Sequence, residues 1–75
     1  MSASNKKHTT FAEMVDVLDS MPVILLNARR ARGLSMRDVA QRLGLSLSTV
    51  SRVEAGAEFS STSLKAILLW LEEPS

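Results

Sequence analysis

The chain contains no cysteine and only one histidine among its 75 residues. Without cysteine the fold has neither a disulfide framework nor a thiolate metal site, so helix packing must supply its stability. The histidine, His8, lies in a polar N-terminal stretch, and the carboxylates are scattered along the sequence. No nucleophile is paired with a base, and no glycine-rich loop could hold a phosphate. We therefore expect no enzymatic activity, no metal and no cofactor.

Long hydrophobic runs are also missing. The longest cover six residues each, Met21–Leu26 and Ala66–Leu71, whereas a membrane-spanning helix needs about 20. The first ten residues carry lysines without an apolar stretch, so we do not expect them to act as a signal peptide. A length of 75 residues allows one small domain with a barely sufficient core. We expect a soluble, cytoplasmic protein with no membrane partner.

Alternating strand patterns and hairpin dipeptides do not occur, and the apolar residues recur at helical spacing instead. Thr10 opens a capping box, which predicts a first helix over 10–19. Pro22 suits the first turn of a helix and Gly33 suits the position after its end, so a second helix is predicted over 22–32. Because the start of this second helix is apolar on nearly every side, we expect the first helix to cover it.

A short phrase occurs twice in the middle of the chain, as L-S-M-R-D-V from Leu34 and as L-S-L-S-T-V eleven residues later. In each copy the first serine suits the N-cap of a helix, and Gly44 can take the left-handed conformation that ends the first of these helices. The pattern predicts two short helices, 36–43 and 47–54, joined by a tight turn. Each copy is a helix start, and together they form a helix-turn-helix over about 35–55.

A last helix is predicted over 64–72, after a polar loop at 57–62. It is apolar on almost every side, which is more than the core of so small a protein needs. Leu68, Leu69 and Trp70 are therefore candidates for the interface of a homodimer. The N-terminal helix is the second candidate.

Positive charge is concentrated in the middle of the chain, although the net charge is only +1. Residues 27–56 hold six arginines against two acidic residues, a balance of +4, whereas residues 1–26 and 57–75 have balances of −1 and −2. A local positive surface is what a polyanion such as nucleic acid requires. An ordinary solvated helix face rich in arginine would give the same numbers, so charge alone leaves both interpretations open.

The segment R-x-R-G-L-S-M-R-D-V-A-Q-R-L-G-L-S-L-S-T-V-S-R-V-E-A-G, which ends at Gly56, resembles the helix-turn-helix of the phage repressor, Cro and XRE-type regulators. The resemblance covers roughly residues 25–56 and weakens in the last helix. It implies a small all-α bundle of five helices, of the lambda-repressor-like DNA-binding type. Around the motif we expect a flexible arm over residues 1–9 and a single domain over residues 10–75.

The resemblance implies that helix 47–54 is the recognition helix and that phosphate contacts surround its start. The base-reading candidates are Leu47, Ser48, Ser51 and Arg52. The phosphate candidates are Ser46, Met36, Arg37 and Arg42. A guanidinium can pair with guanine O6 and N7, so Arg52 is the first choice for base contact, with a phosphate contact or a surface ion pair as the alternative. The resemblance also implies a structural ion pair between Arg29 and Glu54.

Two positions depart from the family pattern. Met36 and Leu47 stand where relatives carry glutamines, the first of which touches phosphate and the recognition helix. We hypothesise that Met36 contacts Leu47 in place of an amide pair, which leaves Leu47 to present its methyl groups to the methyl group of thymine.

The function that these features favour is sequence-specific binding of double-stranded DNA by a transcriptional regulator, similar to Cro or to a short immunity repressor. Such a protein would occupy an operator in a bacterial cell or a phage-infected host, as a homodimer in solution or only on DNA, and would need no small-molecule ligand. The alternative is a helical interaction or adaptor module, for example antitoxin-like, that binds a protein through the apolar last helix. The small polar face around Arg52 favours DNA, because protein interfaces place large apolar anchors at their centre.

Overall fold

The structure, a computed structural model, describes residues 10–74. This range contains four α-helices and no strand: α1 (Phe11–Ala31), α2 (Met36–Leu43), α3 (Leu47–Glu54) and α4 (Ser61–Leu71). The prediction of an all-α fold with a central helix-turn-helix is confirmed, but the prediction of five helices is wrong, since residues 10–74 form four. The predicted arm over residues 1–9 lies outside the described residues.

The predicted division at Pro22 is wrong, because α1 runs through the proline as one helix of 21 residues. Its start is the predicted capping box, in which the Glu13 backbone N–H donates to Thr10 Oγ1 at 3.1 Å and the Thr10 backbone N–H donates to Glu13 Oε1 at 3.3 Å. A proline inside a helix costs about 3 kcal/mol. The burial of Met21 and Leu25 on either side of it offsets that cost.

The first three turns of α1 do not cover its second half, contrary to expectation. Every residue from 11 to 20 is exposed, and burial begins only at Met21. The second half of α1 packs mainly against α3 instead. The molecule is therefore elongated, with principal dimensions of 45 × 26 × 18 Å.

All four helices contribute to one core. Its members are Met21, Leu25, Val39, Ala40, Val50, Val53, Ile67 and Trp70. The burial of Trp70, which is 3% exposed, corrects its assignment to a dimer interface. The Arg32 guanidinium lies over the Trp70 ring at 4.6 Å from its centroid and donates to the Glu73 carbonyl at 3.0 Å. This arginine closes the core where α1 and α4 end.

Helix α4 begins three residues earlier than predicted, because serines can form its first turn. Ser60 caps the helix, and its Oγ accepts the Ser63 backbone N–H at 3.1 Å. The Ser60 hydroxyl also donates to Ser63 Oγ at 3.0 Å, which satisfies the one buried polar side chain of the described core. The prediction placed the start at the first apolar residue and overlooked this cap.

The capping box of α2 makes stability depend on pH. The Ser35 backbone N–H donates to Asp38 Oδ2 at 3.0 Å, and this bond, followed by the bond to the Ser35 side chain, lowers the pKa of Asp38 below its usual value. A lowered pKa contributes stability that is complete above the ordinary aspartate pKa of about 3.9 and is lost as the pH falls through the folded-state pKa. We expect the difference in Tm between the wild type and Asp38→Asn to shrink between about pH 5 and pH 2. Thermal unfolding followed by circular dichroism at a series of pH values measures it, and a difference that stays constant with pH would contradict it.

Candidate nucleic-acid interface

The turn between α2 and α3 fixes the angle of the second helix. Gly44 ends α2 with φ +71°, a left-handed conformation that glycine adopts without strain. The Leu45 backbone N–H then donates to the Ala40 carbonyl at 2.9 Å, which folds the chain back over the end of α2. Ala40 is itself buried, and its small side chain lets the two helices approach closely.

One face of α3 is buried and the other is open. Val50 and Val53 lie fully in the core and seat the helix. The four predicted base-reading residues all lie on the exposed side, Leu47 with 39% of its surface accessible. They are Leu47, Ser48, Ser51 and Arg52. At about 100° per residue these positions share one side of the helix. The structure therefore brings the predicted set together on a single surface.

The start of α3 is organised by Ser46. Its Oγ accepts the Thr49 backbone N–H at 3.1 Å and lies 2.8 Å from Thr49 Oγ1. Its position as the helix cap follows the sequence pattern, but Thr49 was not singled out in advance. A hydroxyl residue three positions after a cap serine was the sequence feature that could have indicated the contact of Thr49 with Ser46. The capped N-terminus presents the positive end of the α3 dipole to solvent, a place that suits phosphate.

An ion pair braces the far end of α3. Arg29 donates from Nε to Glu54 Oε2 at 2.8 Å and from Nη2 to Glu54 Oε1 at 3.0 Å, and its Nη1 donates to the Leu34 carbonyl at 3.2 Å. The side chains are 14% and 10% exposed. The hydrogen bond to Glu54 is the main cause of a raised pKa at Arg29, and burial opposes it. The pair thus ties the end of α1, the approach to α2 and the end of α3 together, as the resemblance implied.

The phosphate candidates on α2 separate into two kinds. Arg37 and Arg42 are exposed, and their side chains are free to reach an anion. Met36 is half-buried and packs against the core. A thioether has no hydrogen to donate to a phosphate, so its placement is that of a packing residue. The proposed contact between Met36 and Leu47 stays a prediction.

A family described as helix-turn-helix matches residues 25–69. The matched segment begins in the second half of α1, includes α2 and α3 and ends near the end of α4. No curated protein and no solved structure matches the chain. None of the helices between residues 10 and 74 combines the length and hydrophobicity that crossing a bilayer requires.

Proposed function

This chain belongs to the helix-turn-helix family of DNA-binding regulators, and from that premise we propose that it is a sequence-specific repressor of the Cro or short immunity type. In this proposal α3 enters the major groove of an operator. Transcription is then repressed because the bound protein excludes polymerase from the same DNA.

The observation that carries the proposal is the exposed face of α3. Apart from Leu47, its residues are short and polar around a single arginine, which allows the helix to approach base edges closely. The valines on the opposite side and the Arg29–Glu54 pair hold this face at a fixed angle. A recognition surface needs such rigidity, because base contacts tolerate little displacement.

We propose that Arg52 pairs with guanine in the major groove and that Leu47 packs against a thymine methyl group. Arg37 and Arg42 contact phosphates beside the groove, together with the N-terminus of α3 at Ser46. These contacts fix the position of the protein, whereas those of α3 distinguish sequences.

Two copies acting on two half-sites complete the proposal. One recognition helix contacts only a few base pairs, and useful specificity in a genome requires more. A symmetric dimer places its two recognition helices about 34 Å apart, one turn of DNA. The operator is therefore expected to be a pseudo-palindrome.

The proposal is tested by selecting bound duplexes from a random pool and sequencing them at two salt concentrations. The wild type is expected to select a symmetric motif, and Arg52→Ala is expected to lose the preference for one guanine per half-site, a loss of about 1–3 kcal/mol of discrimination. Arg30→Ala is the matched control, since it removes the same charge from an exposed arginine of α1.

The motif is expected to survive in Arg30→Ala, with only a uniform loss of affinity. Sequence-blind binding by the wild type that disappears at moderate salt would contradict the proposal, because counterion release alone gives that behaviour.

A further inference from the structure

The first three turns of α1 expose an apolar face. Phe11 is 86% exposed, and the other large apolar side chains of this segment are exposed as well. They are Met14, Val15, Val17 and Leu18. Contiguous apolar surface of this kind on a small protein marks an interaction site more often than chance.

This face forms one wall of an open groove whose other wall is α4. Met14, Val17 and Leu18 line one side of a space of about 340 Å³, and Leu64 and Leu68 line the other. Leu18 and Leu64 also border a second open space of about 590 Å³, which extends to the loop after α3 and is lined by Asp19 and Glu58 as well. The first of these spaces, which only apolar side chains line, is the groove referred to below.

The acidic residues of the first three turns of α1 do not line this apolar groove, although Asp19 lines the neighbouring space. Glu13, Asp16 and Asp19 are the charged residues between positions 10 and 20. At about 100° per residue they occupy the side of the helix opposite the stripe of Phe11 and Met14. Val15 and Val17 flank the row formed by Phe11 and Met14. Helices that select a partner by charge carry charged residues at such flanking positions.

This distribution favours a second copy of the same chain as the occupant. Two identical faces can meet in this groove without bringing carboxylates together, because no carboxylate lines it in either copy. The five exposed apolar side chains of the first three turns of α1, together with Leu68, offer on the order of a few hundred Å² per copy, against the ~800 Å² per partner of a standard interface. A polyanion, by contrast, would be repelled by the acidic side of this segment.

We propose that the first three turns of α1 from one copy pack into the groove between α1 and α4 of another, and that this contact forms the dimer. The inference rests on the proposed function, in which two copies occupy two half-sites. It replaces the interface that the sequence suggested, since Leu68 lines the groove but Leu69 lies about 100° further around α4. Leu69, at 56% exposed, stays outside the contact.

Sedimentation of the full chain over a range of concentrations tests the proposal. Met14→Lys places a charge in the groove and is expected to weaken dimerisation by about 30-fold or more, the size of an interface hot spot. Phe11→Ser is expected to act in the same direction, and Phe11 is too exposed for its loss to disturb the core.

Two control variants make the result specific. Asp16→Asn changes the charge of the same turn by +1, as Met14→Lys does, but on the opposite side of α1. Leu69→Ser removes an exposed leucine of α4 outside the groove. Both are expected to dimerise like the wild type, and retained far-UV circular dichroism shows that each variant is folded.

The proposal is overturned if the wild type stays monomeric at all concentrations with and without duplex, if Met14→Lys and Phe11→Ser dimerise normally, or if Leu69→Ser alone abolishes the dimer. Binding of the random duplex pool separates this inference from the proposed function. A protein that dimerises through α1 but binds no duplex refutes only the function, and a protein that binds duplex but pairs elsewhere refutes only the interface.

Discussion

Replacing Trp70 by alanine is expected to lower the free energy of unfolding by about 3–5 kcal/mol, the cost of removing a large aromatic side chain from a core. The ring is 3% exposed and packs among the core residues of all four helices. A protein of this size has only about 4–11 kcal/mol of total stability, so the variant should unfold far more easily. Denaturation by urea, followed by far-UV circular dichroism, measures the change.

Leu69→Ala is the matched control for Trp70→Ala. It shortens the neighbouring side chain on the same helix, which is 56% exposed, and should change stability by no more than about 0.5 kcal/mol. Arg32→Ala separates the contribution of the guanidinium above the ring, for which about 0.5–2 kcal/mol is expected. Equal losses in Trp70→Ala and Leu69→Ala would show that Trp70 is not a core residue.

Removing one member of the Arg29–Glu54 pair is expected to cost about 2–4 kcal/mol, somewhat less than for a fully buried pair. Arg29→Ala leaves the Glu54 carboxylate, which is 10% exposed, without its two donors, and leaves the Leu34 carbonyl without one. Chemical denaturation of Arg29→Ala, Glu54→Ala and the double variant completes a thermodynamic cycle. The double variant should lose less than the sum of the single variants, because no uncompensated charge remains.

Arg30→Ala serves as the control in this cycle, since Arg30 is the exposed neighbour on α1. Its effect is expected to stay within about 0.5 kcal/mol. Strict additivity of Arg29→Ala and Glu54→Ala would contradict the prediction, because it would mean that the two side chains do not interact.

The helix starts could be predicted from the sequence because capping is local. Ser35 and Ser46 each accept a backbone N–H three residues later, and that geometry depends only on neighbouring residues. Gly44 ends α2 for an equally local reason. The exposed face of α3 followed from these boundaries, since the helical period then determines which residues point outward.

The continuity of α1 could not be predicted by the same reasoning. Pro22 is a strong local signal for a helix start, but the apolar spacing of three and four residues continues across it from Leu18 to Met21 and Leu25. Burial of the last two residues outweighs the local preference. The apolar spacing indicated one continuous helix, but it conflicted with the rule that a proline usually marks a helix boundary.

The side of α4 that faces the core also could not be predicted from the sequence. When nearly every residue of a helix is apolar, periodicity cannot tell which side faces the core. Trp70 and Leu69 are adjacent and equally apolar, yet one is buried and the other is exposed. The choice is made by residues distant in sequence, among them Arg32, which covers the tryptophan ring.

The proline within α1 has a consequence for the order in which parts of the molecule open. A proline nitrogen carries no hydrogen, so the Leu18 carbonyl lacks the donor that any other residue at position 22 would supply. The ladder of hydrogen bonds is weakest at this step, and the turns before it can open while the core stays closed. Ten residues of helix are too few to be stable alone in water. In the proposed dimer their order is linked by mass action to pairing, so the fraction of molecules in which this end of α1 is folded should rise with protein concentration.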